Sequence, residues 1–394
     1  MSELSYLEKL LDGVEVEWVT LGSMADIGTG SSNRQDESEN GIYPFYVRSK
    51  NILKSDTFEF DEVAIVIPGE GGIGDIFHYV EGKYALHQRA YRIRITTNAV
   101  DTKFLYYFMS SSFKQYILTK SVGATAISIR KPMLEGFKVP IPSPDNPEKS
   151  LAIQSEIVRI LDKFTALTAE LTAELTMRKK QYNYYRDQLL SFKEGEVEWK
   201  ALEEVSDIYD SLHQTPQYSK NGLSMIRVTD IKNGYIDLKN TLKVNDGIFS
   251  IFTKKYLPQK NDLVMSRVGS YGNVGIIPTD NSACMGQNTV VIHPYINNRY
   301  LFYILTSSIG QDFIEKNVGG GSQKTLSLKS IKSIPIPLTG ESEQSKIVSI
   351  LDKFDTLTNS ITEGLPREIE LRQKQYEYYR DLLFSFPKPE TVSN

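Results

Sequence analysis

Side chains that can bind nucleic acid are concentrated in two stretches of this 394-residue chain. Arginine can donate two hydrogen bonds to guanine, glutamine and asparagine can bridge the edge of adenine, and lysine mainly contacts phosphate. The first stretch offers His87, Gln88, Arg89, Arg92, Arg94, Lys120, Arg130 and Lys131. The second offers Arg227, Lys254, Lys255, Arg267, Gln287, Asn288, Gln323 and Lys324. These residue types predict two surfaces for contact with nucleic acid.

The net charge of −4, from 45 Lys and Arg against 49 Asp and Glu, argues against nucleic acid only if the charges are evenly spread. They are not, because residues 83–138 hold ten Lys and Arg against Asp101 and Glu135. For a single charge on a strand, such as Arg92, a solvent-exposed face is the simpler explanation. The clustering of the charges is what favours a binding function.

Residues 69–74, Gly-Glu-Gly-Gly-Ile-Gly, match the GxGxxG pattern of dinucleotide-binding loops and follow a predicted strand. That pattern holds pyrophosphate only where a helix follows, and residues 75–82 predict a strand and a turn instead. The second half carries Arg-Val-Gly-Ser-Tyr-Gly over residues 267–272. We therefore predict a glycine-rich loop in both halves, where the backbone approaches another strand or a phosphate closely.

The sequence makes no positive case for an enzyme. The four histidines lack metal-binding spacing, and the single cysteine, Cys284, excludes a disulfide framework and a Cys-rich metal site. There is no Gly-Lys-Ser phosphate loop and no Gly-x-Ser-x-Gly elbow. No apolar run reaches the roughly 20 residues that span a bilayer, and the acidic N-terminus is unlike a signal peptide. We expect a cytoplasmic protein without a metal or cofactor of its own.

An internal repeat divides the chain. Residues 154–168 return as 344–358 with eleven of fifteen positions identical, and residues 180–192 return as 374–386 with ten of thirteen. The regions between these segments share only short landmarks, such as Glu-Val-Glu-Trp before each body and Pro-Ile-Pro after it. The chain is thus a duplication in which the connecting segments stayed alike and the bodies changed.

The repeated segments predict long helices with an apolar seam. The first copy shows alternating spacings of four and three at Ile153, Ile157, Ile160, Phe164, Leu167 and Leu171. The second continues similarly with Ile347, Ile350, Phe354, Leu357 and Ile361, and Gly364 and Pro366 then mark a break or kink. This spacing is typical of a coiled coil, in which each seam needs a partner, most simply the other helix.

The fold class is α+β, with two mixed α/β bodies related by the duplication and carried on two long helices. We expect a first body over residues 1–150 that starts with a short helical segment, and a first helix over 151–195. A second body follows over 196–340 and a second helix over 341–394. Strands are predicted at 63–68, 91–95, 262–266 and 289–292, and helices at 104–118 and 300–316.

Six of the 23 tyrosines fall in the repeated helices. Some of them must fill the seam, but Tyr184 and Tyr378 lie off it at equivalent positions. Exposed aromatic side chains that recur in both copies predict docking sites for a partner protein.

Two diverged bodies separated by nearly identical helices resemble the DNA specificity subunits of type I restriction–modification enzymes. The residues that carry the likeness are Ile-Val-Arg-Ile-Leu-Asp-Lys-Phe at 157–164 and Lys-Gln-Tyr-Asn-Tyr-Tyr-Arg-Asp at 180–187. Together with the twice-repeated Thr-Ala-Glu-Leu at 168–175, they are most similar to the type IC branch. The resemblance covers the whole chain and is weakest inside the two bodies.

The resemblance implies that each body is a target recognition domain that reads one half of a split site in double-stranded DNA. It implies that the two helices pair antiparallel as a spacer and dock two methyltransferase (modification) subunits, to which restriction subunits attach. The cofactors S-adenosylmethionine, ATP and Mg would then belong to those partners, and this chain would be non-catalytic.

Two other hypotheses remain open on the residues alone. A protein–protein scaffold, in which a coiled coil presents two globular modules without reading DNA, also fits divergent bodies on constant helices. An enzyme that uses the 69–74 loop would require cofactor binding by the isolated chain.

Overall fold

The structure is a computed structural model that describes residues 6–120, 128–193, 195–232 and 234–388. The chain separates into two compact units, residues 1–169 with 370–394, and residues 170–369. The units cut across the four expected segments, because each body groups with the parts of the long helices that pack on it. Each unit is described separately below.

The first unit is built on a six-stranded sheet of order β2-β7-β5-β6-β3-β4, beside a two-stranded ribbon of β1 and β8. Its strands are β1 Val16–Thr20, β2 Ala25–Thr29, β3 Tyr43–Tyr46, β4 Leu53–Ser55, β5 Phe60–Pro68, β6 His78–Leu86, β7 Ala90–Ile95 and β8 Lys138–Pro142. Its helices are α1 Tyr6–Leu11, α2 Thr102–Lys120 and α3 Lys131–Glu135.

A long helix, α4 (Pro147–Leu189), leaves the first body and enters the second unit. It begins at Pro147, where the missing N–H costs nothing because the first helical N–H groups have no intrahelical partner. In the first unit the aromatic side chains of α2 form one core with Ile65, Ile67 and Ile93 of the sheet, Ile157 of α4 and Phe384 near the C-terminus.

The second unit carries a four-stranded sheet β10-β18-β15-β16, a three-stranded sheet β14-β11-β17, and two-stranded pairs β12-β13 and β19-β9. Its strands are β9 Glu198–Ala201, β10 Ser206–Asp210, β11 Leu223–Ile226, β12 Ile231–Lys232, β13 Tyr235–Ile236, β14 Leu242–Val244, β15 Leu263–Ser266, β16 Val274–Ile276, β17 Ala283–Met285, β18 Thr289–Pro294 and β19 Pro335–Leu338. Its helices are α5 Asp246–Thr253, α6 Asn298–Thr306, α7 Ser308–Asn317, α8 Leu328–Lys332 and α9 Glu341–Asn359.

The last helix, α10 (Gly364–Leu383), contributes most of its length to the first unit. The break predicted near Gly364 and Pro366 is present, because α9 ends at Asn359 and α10 starts at Gly364. Gly364 has a φ of 79°, and a Cβ there would collide with the carbonyl oxygen of Thr356. A side chain other than glycine would therefore strain this corner.

The predicted strands and the helix at 104–118 are confirmed, but the helix predicted at 300–316 is two helices, α6 and α7. The chain is interrupted at Ser307, whose backbone is extended with a ψ of 175°. The apolar periodicity runs across the interruption, so it carried no sign of the break.

Candidate nucleic-acid interface

Four loops of the first body meet at one end of its sheet, at residues 46–48, 68–70, 87–90 and 128–130. Strand β3 runs parallel to β6, and β5 and β7 run antiparallel to each other, which places the end of β5 beside the start of β7. Backbone hydrogen bonds join the loops: His87 N–H to Tyr46 O at 2.9 Å, Gly69 N–H to Arg89 O at 2.9 Å, and Ile129 N–H to Gly69 O at 2.9 Å. We call this surface the first rim.

The second body has the same arrangement at residues 226–228, 266–268, 286–289 and 324–326, which we call the second rim. Gly286 N–H donates to Ile226 O at 2.8 Å, Arg267 N–H to Asn288 O at 2.8 Å, and Leu326 N–H to Arg267 O at 2.8 Å. The two bodies therefore keep one backbone framework although their sequences have diverged. Side chains on such a framework can be exchanged without changing how they are presented.

The first rim carries three arginines and one glutamate. Arg48 and Arg89 share the Glu70 carboxylate at 3.0 and 3.2 Å, and their side chains stay 45% and 57% exposed. Gln88 is exposed and donates to Asn33, while Arg130 is exposed on the neighbouring loop. The ion pairs of Arg48 and Arg89 are exposed to solvent and therefore weak. Both guanidinium groups can thus donate hydrogen bonds to a ligand.

The glycine-rich loop supports the first rim rather than a cofactor. Strand β6 follows it, not a helix, so the dinucleotide pattern lacks the element that would bind pyrophosphate. A Cβ on Gly69 would lie 2.9 Å from the carbonyl oxygen of Arg89. The close backbone approach predicted from the sequence is therefore made to the turn of residues 87–90, which leads into strand β7.

His87 lies beneath the first rim, 8% exposed, with its ring near Phe45. Its Nδ1 accepts the Arg89 N–H at 3.0 Å. Burial, and then the nearby Arg48 and Arg89 cations, lower the pKa of His87 below its ordinary value. The neutral ring is therefore suited to holding the turn of residues 87–90 in place.

Arg92 and Arg94 lie on β7, away from the rim. Arg92 is 14% exposed and contacts Asp26 at 2.6 Å and Glu62 at 3.1 Å, while its guanidinium also covers the Phe60 ring. Arg94 approaches Glu62 at 3.6 Å and is 48% exposed. The hydrogen bond from Arg92 lowers the pKa of Asp26. Arg92 is thus neutralised within the sheet, whereas Arg94 remains available.

The two remaining lysines of the first stretch lie at helix ends. Lys120 ends α2, with its ammonium 5.6 Å from the centre of the Tyr116 ring. Lys131 starts α3 beside Arg130 and pairs loosely with Glu135 at 3.8 Å. Both cations are exposed.

The Arg267 side chain makes internal contacts that stabilise the second rim. Its guanidinium contacts the Asp210 carboxylate at 2.8 and 2.9 Å and donates to Leu326 O at 3.0 Å. The two side chains are only 12% and 18% exposed. The guanidinium group therefore finds its hydrogen-bond partners within the protein, so Arg267 is suited to holding the rim in position.

The exposed donors of the second rim are amides and one lysine. Gln287 is exposed and Asn288 is half-buried at a φ of 62°, a backbone conformation that asparagine tolerates. Gln323 is exposed, and Lys324 pairs with Glu315 at 3.3 Å while remaining 55% exposed. The second rim therefore offers mainly amide donors and acceptors where the first offers arginines.

Arg227 lies in the 226–228 loop of the second rim, and the two lysines at 254–255 flank the rim. Arg227 follows β11 and pairs with Asp230 at 3.1 Å, with 35% of its side chain exposed. Lys254 and Lys255 follow α5 and line an apolar pocket of about 490 Å³ beside Tyr209. The pocket extends to Met285, which immediately precedes the 286–289 loop.

The sequence prediction missed Asn33, Arg34 and Arg48. Residues 32–33 are joined to the 87–90 turn by the Gln88 N–H donating to Ser32 O at 2.9 Å, and Arg34 is 84% exposed. These residues lie outside the basic stretch at 83–138 in sequence, and only the pairing of β3 with β6 brings Arg48 to the rim.

Tyr184 and Tyr378 are exposed, as predicted, at 61% and 65%. Each lies edge-on to the next tyrosine, with ring centres 5.4 and 5.3 Å apart. The neighbours stack instead on the adjacent helix within their unit: Tyr185 on Phe354 at 5.6 Å and Tyr379 on Phe164 at 5.3 Å.

The described residues contain no cluster of His, Cys, Asp or Glu that could hold a metal ion. Among the helices of that part of the chain, none is long and apolar enough to cross a membrane.

Each of the two α+β bodies thus presents a polar rim built from four loops on the same backbone framework. The family described as "Type I restriction modification DNA specificity domain" matches the chain twice, over residues 13–177 and 194–371. The chain belongs to this family, whose members are the non-catalytic recognition components of type I restriction systems.

Relatives match over nearly the whole length. The chain is 41% identical to the type I restriction enzyme EcoR124I/EcoR124II specificity subunit of Escherichia coli, covering all of both chains. It is 34% identical to the EcoprrI specificity subunit of E. coli, covering 92% of this chain and 93% of that one. A crystal structure of the type I restriction-modification S subunit from M. genitalium shares the fold, with a TM-score of 0.58 at 17% identity over 96% of this chain and 98% of that one.

Proposed function

We propose that this chain is the DNA sequence-recognition subunit of a type I restriction–modification complex and reads a bipartite target, one half-site with each body. The observation that carries the proposal is the pair of rims, which share a backbone framework but differ in their side chains. Exposed arginines dominate the first rim and exposed amides the second, so the two rims would prefer different bases, because arginine favours guanine and the amides favour adenine.

Within each body we assign readout and support to different residues. Gln88, Arg89, Arg130, Gln287, Asn288 and Gln323 are proposed to face base edges, and His87, Arg92 and Arg267 to hold the surfaces in shape. The exposed cations are proposed to contact phosphate and fix the register on the duplex: Arg94, Lys120, Lys131, Arg227, Lys254, Lys255 and Lys324.

The long helices are proposed to form an antiparallel coiled-coil spacer between the bodies, in a type IC-like manner. Support comes from the tyrosine–phenylalanine stacking on both copies of the repeat, between Phe164 and Tyr379 in one unit and between Tyr185 and Phe354 in the other. Two methyltransferase subunits are proposed to dock on this spacer, and restriction subunits to join through the complex. S-adenosylmethionine, ATP and Mg would be bound by those partners, in the cytoplasm.

The proposal is tested by mapping methylation in cells that express the chain with its modification subunit. We expect Arg89→Ala to weaken the preference for one base, at one position of one half-site, by about 1–3 kcal/mol. The reason is that the variant loses the pair of hydrogen bonds that an arginine donates to guanine. The matched variant Gln287→Ala should relax only the other half-site. A uniform loss of methylation at every position, as a lost phosphate contact would cause, would contradict the assignment of base readout to these residues.

A second prediction concerns the docking tyrosines. Tyr184→Ala and Tyr378→Ala should each lower the affinity for a modification subunit by about 2 kcal/mol, because exposed aromatic side chains dominate such interfaces. Native mass spectrometry of the assembled complex would show one partner lost per variant and both lost in the double variant. Tyr295→Ala is the control, since Tyr295 is equally exposed at 62% but lies outside the repeat. Full occupancy in the double variant would contradict the assignment.

A further inference from the structure

A charged cluster joins the first body to its long helix. The Tyr107 hydroxyl of α2 donates to Asp162 Oδ1 of α4 at 2.6 Å, and Lys103 Nζ contacts Asp162 Oδ2 at 2.9 Å. The Thr165 hydroxyl lies 3.2 Å from the same phenol oxygen. One carboxylate thus accepts two donors from the body.

The same cluster occurs in the second unit. The Tyr303 hydroxyl of α6 donates to Asp352 Oδ1 of α9 at 2.5 Å, and Arg299 Nε donates to that carboxylate oxygen at 2.9 Å. Arg299 also reaches Asp355 Oδ2 at 2.9 Å. We call the two sets, Lys103–Tyr107–Asp162 and Arg299–Tyr303–Asp352, the clamps.

The clamps occupy matching places in the duplication. Asp162 and Asp352 are equivalent positions of the repeated Leu-Asp-Lys-Phe, and each tyrosine ends a Leu-x-Tyr run at the start of the first helix after the sheet. The rims changed their side chains while this attachment was kept in both units.

The clamp tyrosines are buried, whereas the side chains of Asp162 and Asp352 remain 37% and 43% exposed. Tyr107 is 3% exposed and Tyr303 is fully buried. Burial, and in addition the bond to the carboxylate, raises the pKa of the Tyr107 phenol, so the hydroxyl keeps its proton and donates. Hydrogen bonds to a carboxylate are short and roughly twice as strong as neutral ones, and they resist rotation of α2 or α6 about its contact with the long helix.

We propose that the two clamps fix the angle of each recognition body on its helix and thereby restrict the number of base pairs accepted between the half-sites. This inference rests on the proposed function. Adding one base pair moves a half-site by about 3.4 Å and turns it by about 34° around the duplex. A body that could pivot would follow that change, whereas a clamped body must be strained to do so.

The test uses the assembled complex with its modification subunit and DNA duplexes whose spacer is the natural length or one base pair longer or shorter. Tyr303→Phe and Asp352→Asn, and likewise Tyr107→Phe and Asp162→Asn, should leave the half-site bases unchanged. Discrimination against the two altered spacers should fall about tenfold, equivalent to about 1.4 kcal/mol. Lys163→Gln and Lys353→Gln are the controls, because each exposed lysine adjoins the clamp aspartate in sequence.

The readouts separate a positioning role from a merely structural one. A clamp variant that binds all three duplexes more weakly by the same factor, or keeps wild-type discrimination, would overturn the inference. If thermal unfolding shows that an aspartate variant is not folded, the milder Tyr→Phe variant of the same clamp provides the test. If the wild-type complex reads no bipartite site at all, the proposed function fails instead, before the clamps are tested.

Discussion

Deletion of residues 172–175 should abolish methylation of the natural target and produce methylation of a new one, with the same half-sites and a spacer one or two base pairs shorter. These four residues, the second Thr-Ala-Glu-Leu unit, lie within the uninterrupted helix α4. Removing them shortens the helix by about 6 Å, against about 3.4 Å per base step. Neither rim is touched, so the bases read by each body should not change.

Single-molecule methylation mapping would measure both properties at once. The same-length variant Thr172→Ala is the control and should keep the natural spacer. Altered half-site bases in the deletion variant would show that the helix does more than set the distance, and retention of the natural spacer would exclude the spacer role.

Loss of Arg267 should have the largest effect on stability. Arg267→Ala leaves the Asp210 carboxylate, 18% exposed, without its arginine partner and with the His213 ring at 3.2 Å as its remaining side-chain contact. Removing one member of a buried pair costs about 3–5 kcal/mol, because the remaining charge stays desolvated. We expect the free energy of unfolding to fall by that amount in urea titration, and only the second half-site to lose its specificity.

Two matched variants sharpen this prediction. Arg94→Ala removes an arginine that is 48% exposed and whose partner, Glu62, keeps its contact with Arg92, so it should cost much less. The double variant Arg267→Met with Asp210→Leu removes both charges and should recover part of the stability. Equal destabilisation by Arg94→Ala and Arg267→Ala would refute a special role for the buried pair.

The helix faces show where sequence periodicity was insufficient. The seam prediction included Ile160 and Ile350, but these are half-buried and 43% exposed, while Leu161 and Leu351 are fully buried against the bodies. A long helix that packs on a body along one stripe and on a second helix along another carries two overlapping apolar patterns. Spacing alone does not say which stripe faces which neighbour.

The sequence by itself determined the duplication, the main strands and the repeated helices, because these depend on local patterns and on identity between the two halves. It also located both basic stretches and the paired exposed tyrosines. Residue type and period are properties of short segments, so they can be read without knowing the fold.

Only the tertiary structure decided which polar residues act together. Gly69, Arg89 and Ile129 are joined through backbone atoms, which leave no signature in side-chain type. Arg267 is separated by 57 residues from Asp210, the residue that neutralises it. An arginine that meets a carboxylate and one that faces solvent look identical in the sequence. The pairing of distant strands makes the difference, because it sets which charges are buried together and which remain free to meet a ligand.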